Sequence, residues 1–234
     1  MSSEQYRANL EAVYGDLADP VKRPEIPTGA TPASTLFGMI GKGHDVASID
    51  FAARNVATRD LIPSLKWAIN QGFSSDVEGM LVNIGYREPR DIRQAVIAEV
   101  LEQATALAIG ASRSFKERPY RGLLQSLEWL FRKGMPASRR LLRIAIRYGD
   151  AGVTRMLLER GAPLGADAAE IGELWADAAA PIDRNDEIVS MLRIAITARG
   201  VSVDAVDHAY RLKSDGLNPA DIRNLPGWYE GPAA

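Results

Sequence analysis

The chain has 234 residues, of which 46% are hydrophobic and 25% charged, and its formal net charge is −2. This composition can bury a core and is not globally basic, so it disfavours both wholesale disorder and a nucleic-acid-binding protein of uniform positive charge. The absence of cysteine, with only two histidines, excludes a disulfide framework and a Cys/His zinc site. No apolar run is long enough to span a membrane and the first residues lack a secretory signal, so we expect a cytoplasmic protein with no membrane partner.

The first 33 residues differ in composition from those that follow. Tyr6, Leu10 and Val13 have the spacing of a short amphipathic helix, whereas residues 15–33 carry four prolines. We therefore predict an N-terminal helix and Pro-rich arm over 1–33. From about Ser34 onward, helical patterns alternate with Gly, Asn, Asp and Pro, and no β-branched alternating run is long enough for a sheet, so an all-α body is predicted over 34–203.

The clearest internal unit covers residues 142–162. A short helical pattern ends at Gly149, and a second one containing Met156-Leu157-Leu158 ends at Gly161, twelve residues after Gly149. This unit resembles the ankyrin repeat, in which an inner helix ends at a Gly and an antiparallel outer helix ends at a second Gly followed by Ala. The resemblance implies a solenoid, because one helix pair cannot bury its apolar stripe without stacked neighbours.

Four further segments fit the same pattern less closely. The predicted closing residues of all five units are Asn55, Gly85, Gly134, Gly161 and Gly200, spaced 30, 49, 27 and 39 residues apart against a family period of about 33. We therefore predict a solenoid of about five divergent ankyrin-like helix pairs.

Two features leave the details of this array open. The family's Thr-Pro-Leu-His tetrapeptide is missing from the best unit, where Arg140-Leu141-Leu142-Arg143 stands instead, so another helix-pair solenoid remains an alternative. Residues 192–196 also copy residues 142–146, which leaves the repeat register of 166–203 open, as it is for 91–136. Residues 204–234 are predicted to form a capping helix and a tail, in which Trp228 and Tyr229 are candidate anchors for a partner.

No motif in the chain predicts catalysis. His44-Asp45 lacks the earlier histidine of a His-Asp phosphohydrolase, and the Gly-rich stretch 38–43 lacks both the first glycine and the Ser/Thr of a phosphate-binding loop. We interpret His44 as a turn residue and His208 as a surface or half-buried one. The sequence predicts no enzyme activity, no catalytic residue, no metal and no cofactor.

The charge distribution is uneven along the chain. Residues 111–160 contain twelve Lys/Arg against four Asp/Glu, while both flanking segments are net negative. Arg140, Arg143 and Arg147 are spaced i, i+3, i+7, so they share one helical face, and Arg139 precedes them. We predict that this stripe contacts an acidic protein surface, because Arg pairs well with carboxylates. The alternative is that the arginines pair with acids of the adjacent repeats.

These observations favour a non-catalytic module that binds a protein partner through its concave face and hairpin tips, as the ankyrin resemblance implies. The predicted contact residues are Lys42, Arg139, Arg140, Arg143, Arg147, Trp228 and Tyr229. The Arg- and Ala-rich composition is typical of a high-GC bacterium or its phage, which suggests an inhibitor, immunity or anti-defence protein. Two alternatives remain: a nucleic-acid-associated protein that uses the basic block 111–160, and an oligomeric scaffold in which the arm or tail is exchanged between chains.

Overall fold

The structure, a computed structural model, describes residues 31–112, 118–179 and 185–214, and within these ranges it contains helices and no strand. The helices are α1 (Pro32–Met39), α2 (Val46–Ala53), α3 (Ile62–Gln71), α4 (Ser74–Arg87), α5 (Arg93–Ser112), α6 (Arg118–Arg132), α7 (Arg139–Arg147), α8 (Ala151–Glu159), α9 (Ala168–Ala179), α10 (Asp186–Thr197) and α11 (Val203–Ser214). A 3₁₀ turn, Thr58–Leu61, precedes α3. The predicted all-α class is confirmed over these ranges. None of their helices is both long and apolar enough to cross a lipid bilayer.

Short polar side chains start many of these helices. Each accepts a hydrogen bond from a backbone N–H of the first helical turn, which would otherwise lack a partner. The residues that do so are Thr31, Asp45, Ser138, Asp150, Asp167, Asn185 and Ser202. The sequence thus marks where the helices begin.

Glycines in the left-handed conformation end several helices. At Gly149, where φ is 69°, the glycine N–H donates to the carbonyl of Ile146 and the next N–H donates to that of Ala145. This paired arrangement satisfies two carbonyls of the last turn, and it recurs at Gly72, Gly134 and Gly161. One predicted closing residue is wrong, because Gly85 lies inside α4. Asn55 stands two residues after the end of α2 at Ala53, the same offset at which Gly149 and Gly161 follow α7 and α8.

The chain divides into two compact units. In the described part, unit 1 holds residues 31–108 and 118–129, and unit 2 holds 109–112, 130–179 and 185–214. Each is described separately below.

In unit 1, successive helices pack as hairpins, and the hairpins pack side by side. Helix α2 packs on α1 and α4 on α3, while α1 also contacts α3, and α2 lies along α4. A Cβ at Gly79 of α4 would lie 2.7 Å from the carbonyl oxygen of Val46, so only glycine lets α2 and α4 approach this closely. Ile49, Leu65 and Met80 are fully buried in the resulting core.

Unit 2 repeats this arrangement. Helix α8 packs on α7 and α10 on α9, while α7 contacts α9 and α8 contacts α10. This packing resolves the open register of 166–203, because residues 186–197 form one helix, the second of its pair. The final helix α11 lies on α9, where a Cβ at Gly172 would be 2.5 Å from the Cβ of Tyr210.

Most side-chain hydrogen bonds between neighbouring hairpins join residues 30 to 36 positions apart, and one, from Arg139 to Leu164, spans 25. In unit 1 the separation is 35 residues for Asp76 with Gly41 and 33 for Asn83 with Asp50. In unit 2 it is 34 residues for Arg139 with Glu173 and 36 for Asn185 with Gly149. Such a regular interval, together with the pairwise packing, is compatible with a helical repeat protein.

Candidate protein-interaction surfaces

The arginines of α7 form a ladder with two acids of α9. Arg139 donates to a carboxylate oxygen of Glu173 at 3.1 Å, and Arg143 lies 3.3 Å from the same oxygen. The Nε atom of Arg143 then donates to Asp177 at 2.8 Å, and the Nε of Arg147 lies 3.1 Å from that same Asp177 oxygen. The five residues Arg139, Arg143, Arg147, Glu173 and Asp177 are called the α7–α9 ladder below.

The ladder is half-buried, which strengthens its contacts relative to those of a fully exposed pair. The side chains of Glu173 and Asp177 are 20% and 17% exposed. Arg139 also donates to the backbone carbonyls of Leu164 and Glu170, so its guanidinium lies against the start of α9. The hydrogen bond to Asp177 is the main reason that the pKa of Arg143 is raised above its ordinary value.

The predicted basic residues have different surroundings in the structure. Arg139, Arg143 and Arg147 pair with acids of the neighbouring hairpin, which was the alternative considered for the stripe. Arg140 is exposed on α7. Lys42 is exposed in the turn between α1 and α2, while Trp228 and Tyr229 lie outside the described residues.

Unit 1 carries an exposed aromatic surface that the sequence analysis did not single out. Phe37 of α1 is 47% exposed, and its ring centroid lies 6.1 Å from that of Trp67 on α3, at an interplanar angle of 39°. Gly38 is exposed beside it, and a Cβ there would meet nothing within 4 Å. We call Phe37, Gly38 and Trp67 the aromatic patch.

The charged residues on α1, on α3 and at positions 40–43 are all lysines. Lys66, the only charged residue of α1 and α3, directly precedes Trp67 in the chain and is partly exposed. Lys42 follows α1 by three residues. Trp67 is only partly buried, as is Trp129, whereas Trp175 is 8% exposed.

Buried polar groups in unit 1 link its hairpins. Asp76 is 3% exposed and accepts a hydrogen bond from the Gly41 N–H at 2.8 Å. Burial raises the pKa of Asp76, and the hydrogen bond and nearby His44 oppose that shift. By contrast, the pKa of Asp45 is lowered, mainly by the N–H of Ser48, which it caps. These carboxylates have structural roles as a tie between hairpins and a helix cap.

The other candidate groups for chemistry are dispersed. His44 is partly exposed immediately before the cap residue Asp45, and His208 is exposed on α11. Across 31–112, 118–179 and 185–214, no three His, Asp or Glu side chains are grouped so that they could hold a metal ion.

Comparison of the chain with protein-family models, with curated proteins and with solved structures gave no match. The functional argument therefore depends on the surfaces described above.

Proposed function

We propose that the chain is a non-catalytic, ankyrin-like helical repeat protein that binds a protein partner, with the aromatic patch of unit 1 as its anchor. The observation that supports this proposal best is the exposure of Phe37, at 47%, on a ring that also packs against Trp67. Binding energy at protein interfaces is concentrated in a few large residues, among which aromatic side chains are enriched.

The repeat arrangement supports the same proposal. Helices α1 and α3 lie side by side as the first members of successive hairpins, and in ankyrin-type proteins this inner row faces the partner. The patch spans both helices, so one partner side chain could contact two hairpins at once. Lys42 and Arg140 are proposed as polar contacts, with Trp228 and Tyr229 as further candidates in the tail.

The α7–α9 ladder favours a protein partner over a nucleic acid. Phosphate binding requires basic side chains that are available to displace counterions. In the basic block, Arg139, Arg143 and Arg147 already face two carboxylates, and a phosphate would have to displace these acids and approach their negative charge. A protein partner that covers the inner row would serve the inhibitory or immunity role considered for the sequence.

The proposal is tested by immobilising the full chain, exposing it to lysate of the native host, and identifying the retained molecules by mass spectrometry. Phe37→Ala is the test variant, and Ile194→Ala is the matched control, because Ile194 is an apolar side chain 68% exposed on α10. We expect one protein to be retained by the wild type and the control and lost from Phe37→Ala. The captured protein is then purified and titrated against all three chains.

Two results would contradict the proposal. Retention of only nucleic acid, released steeply by salt, would favour the nucleic-acid alternative. Equal affinity of the purified partner for wild type and Phe37→Ala, with unchanged urea unfolding of the variant, would remove the aromatic patch from the interface.

A further inference from the structure

The aromatic patch has a chemical character that restricts what can cover it. Its apolar part is Phe37 and Trp67, with open space beside Gly38. Helices α1 and α3 carry no acidic residue, and the basic groups Lys66 and Lys42 lie beside the patch in the chain. A complementary ligand therefore presents apolar side chains between carboxylates.

The N-terminal segment of this chain has that composition. Residues 1–20 contain Tyr6, Leu10 and Val13 at helical spacing, and they carry four acids, Glu4, Glu11, Asp16 and Asp19, against the single basic residue Arg7. The segment lies outside the described residues, which begin at Thr31, the cap of α1. The chain that joins it to the structure therefore enters at the helix that carries Phe37.

We propose that residues 1–20 bind intramolecularly to the aromatic patch. Residues 21–30 can span about 33 Å when extended, at roughly 3.3 Å per residue, whereas α1, with eight residues, is about 12 Å long at 1.5 Å per residue. The tether is thus long enough to bring the segment to Phe37. It also gives the segment a high effective concentration, so weak contacts suffice. The contact uses the surface assigned above to the partner, but it exists whether or not that partner does.

The test uses zero-length carbodiimide cross-linking of the full chain at low concentration, followed by peptide mass spectrometry. We expect amide cross-links between Lys42 or Lys66 and a carboxylate of residues 1–20. An equal mixture of ¹⁴N- and ¹⁵N-labelled chains identifies cross-links between molecules, and we expect both ends of each cross-link to carry the same label.

Paired variants separate specific binding from chance encounters of a tethered segment. Leu10→Asp and Phe37→Ala each remove one side of the apolar contact and should lower the cross-link yield by about fivefold or more, since loss of one buried apolar anchor weakens a small contact by at least that factor. Asn9→Asp introduces the same charge beside Leu10 and should keep at least the wild-type yield, because it adds a carboxylate without removing an apolar contact. Ile194→Ala truncates an exposed apolar side chain elsewhere and should keep the wild-type yield.

Three outcomes would overturn the inference. Absence of these cross-links, equal yields in Leu10→Asp and wild type, or mixed isotope labels would show that the segment does not bind the patch within one chain. Loss of partner capture with these cross-links intact would contradict only the proposed function. Capture that needs Phe37, without any cross-link, would contradict only the intramolecular contact.

Discussion

Replacing Asp177 with Asn should destabilise unit 2 measurably. Asp177 accepts from Arg143 at 2.8 Å and from Arg147 at 3.1 Å, and the exposed fractions of the two arginines are 33% and 55%. Exposed ion pairs contribute about 0.2–1 kcal/mol and buried charged hydrogen bonds about 1.5–3 kcal/mol. Discounting the second range for this solvent exposure, we expect Asp177→Asn to lower the free energy of unfolding by about 1.5 kcal/mol.

Urea unfolding followed by circular dichroism measures this change. With a slope of about 2 kcal/mol per molar urea, the expected loss lowers the midpoint of the transition by about 0.7 M. The same comparison in 1 M NaCl should give a smaller difference, because salt screens the partly exposed pairs. Arg143→Gln combined with Asp177→Asn should cost less than the sum of the single substitutions, since each single change already breaks their shared contact.

An unchanged midpoint in Asp177→Asn, or strict additivity with Arg143→Gln, would refute the reasoning. The first result would mean that Asp177 contributes no net stability through the ladder, and the second that the contact between Arg143 and Asp177 contributes none. Either result would then favour the prediction from the sequence that this arginine stripe contacts an acidic partner.

Four further substitutions test packing and titration. Gly172→Ala should lower the free energy of unfolding by about 2 kcal/mol or more, because its Cβ would lie 2.6 Å from the backbone oxygen of Val206. Gly38→Ala, whose Cβ would meet nothing within 4 Å, should instead stabilise α1 by about 0.5–1 kcal/mol through helix propensity. A higher urea midpoint for Gly172→Ala than for Gly38→Ala would contradict the packing of α9 on α11. The raised pKa of Asp76 means that folding favours its protonated form. The wild type should therefore lose stability relative to Asp76→Asn as pH rises above the ordinary value of 3.8. A difference in urea midpoint that did not change with pH would contradict the raised pKa. The pKa of Asp45 is lowered, so its effect on stability has the opposite pH dependence. The cap should stabilise the wild type over Asp45→Ala by roughly 1 kcal/mol at neutral pH, and this difference should decline as pH falls below 3.8. A difference that grew as pH fell would show that Asp45 does not act as a charged helix cap.

Helix ends were the part of the fold that could best be predicted from the sequence, because they depend on the residues next to them in the chain. Gly149 and Gly161 end helices since the left-handed backbone there is costly for residues with a Cβ. Gly85 followed the same sequence logic and was wrong, because tertiary packing overrides the modest cost of glycine within a helix. Nothing local distinguishes a glycine that ends a helix from one that lies inside it.

The surfaces were less predictable, since they depend on which residues a distant segment covers. The spacing of Arg140, Arg143 and Arg147 indicated a shared face but not what lies opposite it. A signal was nevertheless present: Glu173 lies 34 residues after Arg139, close to one ankyrin period, which places an acid against a base in the next hairpin. Phe37 gave no such signal, because an apolar residue beside the buried Leu36 has the same local pattern whether it is covered or exposed.

The hydrogen bonds that connect hairpins at intervals of 33 to 36 residues also bear on how this chain forms and changes length. Contacts that reach only to the next hairpin cost little loop-closure entropy, so folding can nucleate at any hairpin pair and spread to its neighbours. Duplication of one hairpin with its link residues, such as residues 139–167, would supply each copy with a matching neighbour. Gain or loss of whole hairpins is therefore a route by which such a chain can be extended without redesigning its core.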